Sequence, residues 1–309
     1  MKLTSRNANL LLLLAAVIWG FAFVAQRVGM RYVGPLTFNG VRFALGAAAL
    51  IPLLIWGPKT GSPHGSAAET GDRSLVIKGG IIAGLVLFLG ATLQQYGVVY
   101  TTAGKAGFIT GLYVVFVPLL GLLVGQKTGR FVWAGALTAA GGLYLLSARG
   151  IVGIDPGDGL VLLSALFWAV HVQVIGRLTR RIAPVQLAVA QFTVVSILSL
   201  IGAVLFETID LAAIRAAAIP ILYAGLLSVA VAYTLQVVAQ RRARPAHAAI
   251  ILSFESVFAA LGGWLMLSEG LSTRGIIGCG LMLAGILLAQ ADSDRRAEVQ
   301  GTATGTANP

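Results

Sequence analysis

The sequence predicts an all-α membrane protein: ten transmembrane helices in two inverted five-helix repeats around a central cavity. Three observations carry that expectation. Hydrophobic residues make up 57% of the 309 and charged residues 11%, with a mean hydropathy of +0.88, a mix far from that of a soluble globular chain. The apolar residues fall in runs close to the length that crosses a bilayer. The second half of the chain also repeats features of the first in the same order.

The runs lie at 9–27, 37–56, 76–99, 102–124, 131–148, 159–176, 184–206, 217–240, 246–267 and 273–291. Lys2 and Arg6 ahead of the first give it the look of a secretory signal, but no small-residue cleavage pattern ends it and it has a counterpart in the second half, so a retained helix is expected. Sorting the cations by alternating loops places 15 of the 22 Lys and Arg on one side and 6 on the other, with Arg42 inside a run. The excess predicts a multi-pass protein of the cell inner membrane or plasma membrane with both termini cytoplasmic. The same scatter of cations through short loops, rather than in one patch, makes the lipid bilayer and not nucleic acid the partner behind the net charge of +11. Residues 57–75 are Gly/Ser/Pro-rich, and the tail 292–309 has no apolar period; a flexible cytoplasmic loop and a disordered cytoplasmic tail are expected there. The single cysteine, Cys279, offers neither a disulfide framework nor a thiolate metal set, and no metal or cofactor is expected.

The halves are residues 1–148 and 149–291. An offset of 149 aligns Leu13–Phe21 with Leu162–Val170 and stacks Trp19 on Trp168. An offset of 142 brings Thr92–Gln94 onto Thr234–Gln236, Lys105 onto His247, Tyr113 onto Glu255 and Phe116 onto Phe258. Five helices per half is an odd number, so the second half enters the membrane with opposite polarity. Such repeats place a site near the midplane and permit alternating access by rocking.

Four blocks together carry a family resemblance: WGFAF (Trp19–Phe23), VRFALGA (Val41–Ala47), GKAGFITGLYVVFVPLLG (Gly104–Gly121) and the closing stretch Phe254–Ala289. Over about residues 8–291 the chain resembles the EamA-type members of the drug/metabolite transporter superfamily. The resemblance implies ten helices around a central cavity, cytoplasmic termini, and export of small metabolites, amino acids or drugs. Many members carry a shorter second loop. Gln126–Lys127 stands where a Gly-Glu pair often closes the fourth helix, whereas Ser268–Glu269 keeps the acid in the second half.

Candidate site residues follow from what is costly in lipid. Glu255 is the one acid within an apolar run, near the midpoint of 246–267. A carboxylate at that depth costs about 2.5–3.5 kcal/mol on insertion scales, so it should face a protein interior or a water-filled cavity. A proton or a cationic solute can compete for it there, which makes it the expected coupling residue; the alternative is a structural acid that fixes helix packing. His247, Ile251, Glu255, Phe258 and Gly262 share a helical face, with His247 either a proton relay or a hydrated interfacial residue. Arg42 is the one arginine clearly inside a run. It can bind a carboxylate bidentately, pair with Glu255, or snorkel outward.

Trp19 and Trp168 sit mid-run rather than in the interfacial belts, and Gln94, Gln95, Tyr96, Tyr113, His171, Gln173, Gln191, Tyr233 and Gln236 supply further polar groups. Tyr233, Gln236 and Gln240 form one stripe at i, i+3 and i+7. Adjacent helical residues point about 100° apart, so only one of Gln94 and Gln95 faces a pocket squarely; Gln95 is the candidate. For each of these an interhelical hydrogen bond is the competing role. Pro118, in mid-helix, is a candidate kink or hinge, with Gly262–Gly263 near the corresponding place. Ala103, Gly107 and Gly111 recur every fourth position and should allow close helix approach.

A secondary transporter of a small-molecule substrate, with protons as a possible coupling partner and a homodimer as a possible assembly, is therefore the leading expectation. A passive channel or a non-transporting scaffold is the alternative. An intramembrane enzyme is disfavoured, because the sequence has no HExxH, no paired intramembrane aspartates and no Gly-x-Ser-x-Gly. ATP-driven transport lacks its GxxxxGK[ST] loop.

Overall fold

A computed structural model describes residues 4–56, 73–126, 128–147, 156–270, 273–285 and 287–288. Residues 57–72 and the tail 292–309, expected to be flexible, lie outside the described residues. Everything described is helix or short connection, without a strand.

In chain order the helices are α1 (Ser5–Gly29), α2 (Pro35–Trp56), α3 (Arg73–Val99), α4 (Ala103–Gly111), α5 (Tyr113–Leu123), α6 (Arg130–Ser147), α7 (Pro156–Leu178), α8 (Pro184–Phe206), the short α9 (Leu211–Ala216), α10 (Ala218–Leu222), a π-helical segment (Tyr223–Tyr233), α11 (Thr234–Ala239), α12 (Pro245–Leu252) and α13 (Glu255–Leu267). A shorter apolar helix, α14, covers Thr273–Gly285. Among the described residues eight helical rods are long and apolar enough to cross a membrane: α1, α2, α3, α4–α5, α7, α8, α10–π–α11 and α12–α13. α6 and α14 stand where the fifth and tenth of the expected helices fall. The end of the molecule where α1 starts is called proximal here, and the end where α1 finishes is called distal.

Local chemistry explains several boundaries. The Thr4 hydroxyl accepts from the Asn7 N–H at 3.2 Å and opens α1. Pro184 and Pro245 occupy first-turn positions of α8 and α12, where the missing N–H costs nothing. At the distal end the Arg27 guanidinium donates to the carbonyls of Val98 (3.0 Å) and Val99 (2.6 Å), closing α3. Two acids from the second half cap helices of the first. Glu207, just past α8, accepts from the N–H groups of Leu36 and Thr37 at 2.8 Å each and from the Thr37 hydroxyl at 2.7 Å, at the start of α2. Glu269, just past α13, accepts from the N–H groups of Ala103 and Gly104 at 3.0 Å each, at the start of α4. Carboxylates suit helix N-termini because orphan N–H groups and the helix dipole converge there.

The principal packing closes a ring: α1, α10–π–α11, α2, α8, α3, α7, α4–α5, α12–α13 and back to α1. Around it, helices of the two halves alternate. Helices equated by the internal repeat meet each other at two seams, α2 with α8 and α4–α5 with α12–α13. Both seams run antiparallel. Leu36 and Thr37 meet Glu207 while Gly40, further along, accepts from the Ser196 hydroxyl at 3.0 Å. Ala103 meets Glu269 while Gly107 accepts from the Ser256 hydroxyl at 2.6 Å. The second approach is close because Gly107 has no side chain; a Cβ there would run into that of Ala259.

Two runs that the sequence presents as continuous are interrupted at matching places. The fourth breaks at Leu112 and the ninth at Ser253–Phe254, positions equated by the offset of 142. At both, tighter i→i+3 bonds replace the α pattern: Leu112 N–H to Ile109 O and Phe254 N–H to Ile251 O, each 3.2 Å. Ser253 contributes a cause in its own helix, since its hydroxyl donates back to the Ile250 carbonyl at 2.9 Å and competes with the backbone ladder. Pro118, where a kink or hinge is expected, lies inside α5, and the interruption of the run comes before it, at Leu112. The break also divides the stripe expected through His247 and Glu255, because the two residues now stand on different helices.

Candidate functional site

The ring encloses a cavity at mid-depth lined by Trp19, Phe23 and Gln26 of α1, Arg42 of α2, Gln94 of α3, Thr110 and Tyr113 of α4–α5, Trp168 and Val172 of α7, Ser228, Tyr233 and Gln236 of the π rod, and Leu252 and Glu255 of α12–α13. Its volume is about 40 Å³, space for a few waters. Seven of the eight ring rods contribute side chains, and α8 backs them from outside.

Aromatic rings form one wall. Tyr233 lies 4.6 Å from Trp19 and 6.1 Å from Trp168 between ring centroids, the second pair nearly parallel at 27°. His171 stands edge-on to Trp168 and Tyr233 at 6.1 and 6.2 Å. It is buried behind that wall rather than in the cavity lining, and its Nε2 pairs with Gln191 Oε1 at 2.9 Å.

The charged groups come from opposite parts of the ring. Glu255, 4% exposed, is the first residue of α13 and opens onto the cavity just after the helix break. The Tyr113 hydroxyl faces its carboxyl but closes no hydrogen bond of ordinary geometry. Arg42, 3% exposed, sits over the rings of Phe38 and Phe43 at 5.4 and 5.1 Å, a cation–π arrangement that holds the guanidinium inside the protein rather than letting it snorkel. No ion pair joins Arg42 to Glu255 among the described residues. Arg42 Nε, the Tyr113 hydroxyl and Gln236 Oε1 are all buried without a hydrogen-bond partner, and all three residues line the cavity. An unmet polar group in a buried site costs about 1–3 kcal/mol, so this lining is suited to accept hydrogen bonds from, and donate them to, a polar solute.

The distal side of the cavity is spanned by an amide network. Gln94 donates to Gln26 Oε1 at 3.0 Å, and its own Oε1 accepts from Trp168 Nε1 at 2.7 Å and from the Thr110 hydroxyl at 3.4 Å. On the other side Trp19 Nε1 donates to the Ser228 carbonyl at 3.2 Å.

Of the sequence candidates, Glu255, Trp19, Tyr113, Tyr233, Gln236 and Arg42 lie together on the cavity. Gln95 does not: one residue along α3 turns its side chain away, and Gln94 takes the inward position while both amide atoms of Gln95 stay buried and unpartnered. His171 stands one layer back. His247 is remote, pairing with Asn9 Oδ1 at 3.2 Å near the proximal end. Gln26 and Thr110 escaped the sequence reading. Gln26 carried a signal, as an amide within the first apolar run; Thr110 had none, since threonine is ordinary in membrane helices.

The EamA-like transporter family pattern matches residues 6–148 and again 155–290. The chain belongs to the EamA-like transporter family. An uncharacterized transporter of Archaeoglobus fulgidus is 33% identical over 282 residues, covering 91% of this chain and 85% of its own length. The uncharacterized transporter YoaV of Bacillus subtilis is 25% identical over 288 residues, 91% of this chain and 95% of its own. The uncharacterized inner membrane transporter YedA of Escherichia coli is 28% identical over 157 residues, about half of each chain, at 50% and 48%. A solved crystal structure with a TM-score of 0.73, 19% identical and covering 94% of this chain and 98% of its own, shares the fold. This EamA-family chain is thus a multi-pass membrane protein of a transporter family, built from two copies of one unit.

Proposed function

We propose that the central cavity is the substrate site of a secondary transporter that exports a small polar or amphipathic metabolite by alternating access, with Glu255 as the coupling acid. The observation that carries this is the convergence on one small cavity of Glu255, Arg42 and three unpartnered polar atoms, walled by Trp19, Trp168 and Tyr233. Arg42 suits an anionic group of the solute, Glu255 a cationic group or a proton, and the rings an apolar portion. The antiparallel seams between equated helices, and their matching breaks, support ten crossings in two inverted repeats, the arrangement that lets one half's conformation be exchanged for the other's. The excess of cations in the proximal loops supports cytoplasmic termini, and export then runs toward the distal face.

The test is solute-driven proton flux in proteoliposomes loaded with a panel of amino acids and organic cations, wild type against Glu255→Gln. Loss of proton coupling in a variant that still folds and binds supports the assignment. Unchanged coupled transport refutes it, and downhill flux with no proton movement in the wild type favours a passive pathway.

A further inference from the structure

The two tryptophans equated by the repeat have equated glutamine partners, yet only one pair is joined. Trp168 donates to Gln94 at 2.7 Å. The repeat maps Trp168 onto Trp19 and Gln94 onto Gln236, but Trp19 donates to the Ser228 carbonyl instead. Gln236 Oε1, 1% exposed as a residue, is left without a partner on the cavity wall.

The positions make this difference directional. Gln94 lies in the last turns of α3, whose C-terminus shares the distal end with that of α1 through Arg27. Gln236 lies in α11, at the proximal end of its rod. The Gln94 bond, reinforced by Gln26 and Thr110, therefore spans the cavity's distal side, and the Gln236 bond would span its proximal side. The equivalents of Gln26 and Thr110 under the same two offsets are Ile175 and Leu252, so of the three equated positions Gln236 alone is polar at the proximal side. The cause of the mismatch is local. α3 is α-helical through Gln94, whereas the π-helical segment Tyr223–Tyr233 immediately precedes Gln236 and changes the register in which it faces α1.

Building on the alternating-access reading above, we propose that Gln94 and Gln236 are paired gating residues. The Trp168–Gln94 bond made in this structure holds the distal side closed; in the opposite state it opens, and Trp19 exchanges the Ser228 carbonyl for Gln236 Oε1 to close the proximal side. The exchange gives the orphaned Gln236 acceptor its indole donor as it takes one from Gln94, so the two states trade one glutamine acceptor for the other and lie close in energy, as a transporter that must visit both requires.

The experiment uses the full chain with Cys279→Ser and a reporter, Ser228→Cys, in oriented membrane vesicles. An impermeant maleimide is applied from one face or the other, and the ratio of distal to proximal labelling rates is read. The background should react mainly from the proximal face. Gln94→Leu should raise the distal-to-proximal ratio by about fivefold, the population shift that one ordinary hydrogen bond supplies. Trp168→Phe should match it, and the double variant should add nothing. Gln236→Leu should lower the ratio. Shifts in the same direction for Gln94→Leu and Gln236→Leu, or no shift in either, overturn the exchange. If the background ratio still responds to added solute while neither substitution moves it, the exchange alone falls. Equal rates from both faces, fixed in every variant, bring down alternating access as well.

Discussion

Removing the Glu269 carboxylate tests how firmly the two halves are tied at the distal end. In the wild type its two oxygens satisfy the first two N–H groups of α4, at 3.0 Å each. A hydrogen bond to a charged partner is worth about 1.5–3 kcal/mol and an N-terminal cap about 0.5–2 kcal/mol. Glu269 is half-buried, so water can replace part of what Glu269→Ala removes, and the expected loss is about 2 kcal/mol. Glu269→Gln keeps one acceptor oxygen and gives up the charge, so it should fall about halfway. Glu207→Ala removes three shorter bonds, at 2.7–2.8 Å, from α2 and should cost more. The two acids act at separate seams, so their costs should add to within about 0.5 kcal/mol. Equilibrium unfolding of the purified protein in mixed micelles, titrated with a denaturing detergent, reads these differences. A Glu269→Ala variant within about 0.5 kcal/mol of wild type, or a Gln variant no better than Ala, would refute the capping account.

Three further substitutions can be read in the same assay. Ser268 closes α13 with φ 57, a left-handed position, and the Glu269 N–H reaches back to the Gly263 carbonyl at 3.0 Å; Ser268→Gly should therefore stabilise by up to about 1 kcal/mol. Gly20 sits where a Cβ would collide with Phe258 and the Glu255 carbonyl, so Gly20→Ala should destabilise by about 1–3 kcal/mol and disturb Glu255 as well. Gly141 of α6 faces open space, with nothing within 4 Å of where a Cβ would stand, and Gly141→Ala should be neutral or stabilising by about 0.5–1 kcal/mol, the ordinary helix preference.

The parts of this architecture that were legible in the sequence are those set by solvent. Apolar runs mark the rods because lipid demands them, and Glu255 stands out because an acid at mid-run is costly wherever it points. Gln94 and Gln95 show the limit: neighbours of identical chemistry differ only in the angle at which they leave α3, and that angle relative to the cavity is set by packing. The break at Leu112 has no local signature, and Pro118, the expected culprit, is accommodated six residues later. The π-helical segment is equally silent, since YAGLLSVAVAY suits an α-helix just as well. Glu207 reads as an ordinary loop acid at the end of a run, and Glu269 only as the acid that the family resemblance keeps after the ninth run. Their role depends on which N-terminus lies opposite, and only the alternation of the ring reveals that.

That alternation also bears on how the chain is made. Each rod of the ring has rods of the other half as its principal neighbours, so five helices released first from the ribosome would find few of the surfaces they are shaped to meet. The first half must wait in the bilayer, its glycine-lined faces and polar residues covered by lipid or by an insertion factor, until the second half threads between its members. What joins the halves along the chain then matters less than what joins them across the ring. The halves produced as separate chains in one cell should be degraded when alone and rescued when together, and the folding unit of this protein would be the whole ring rather than either of its two repeats.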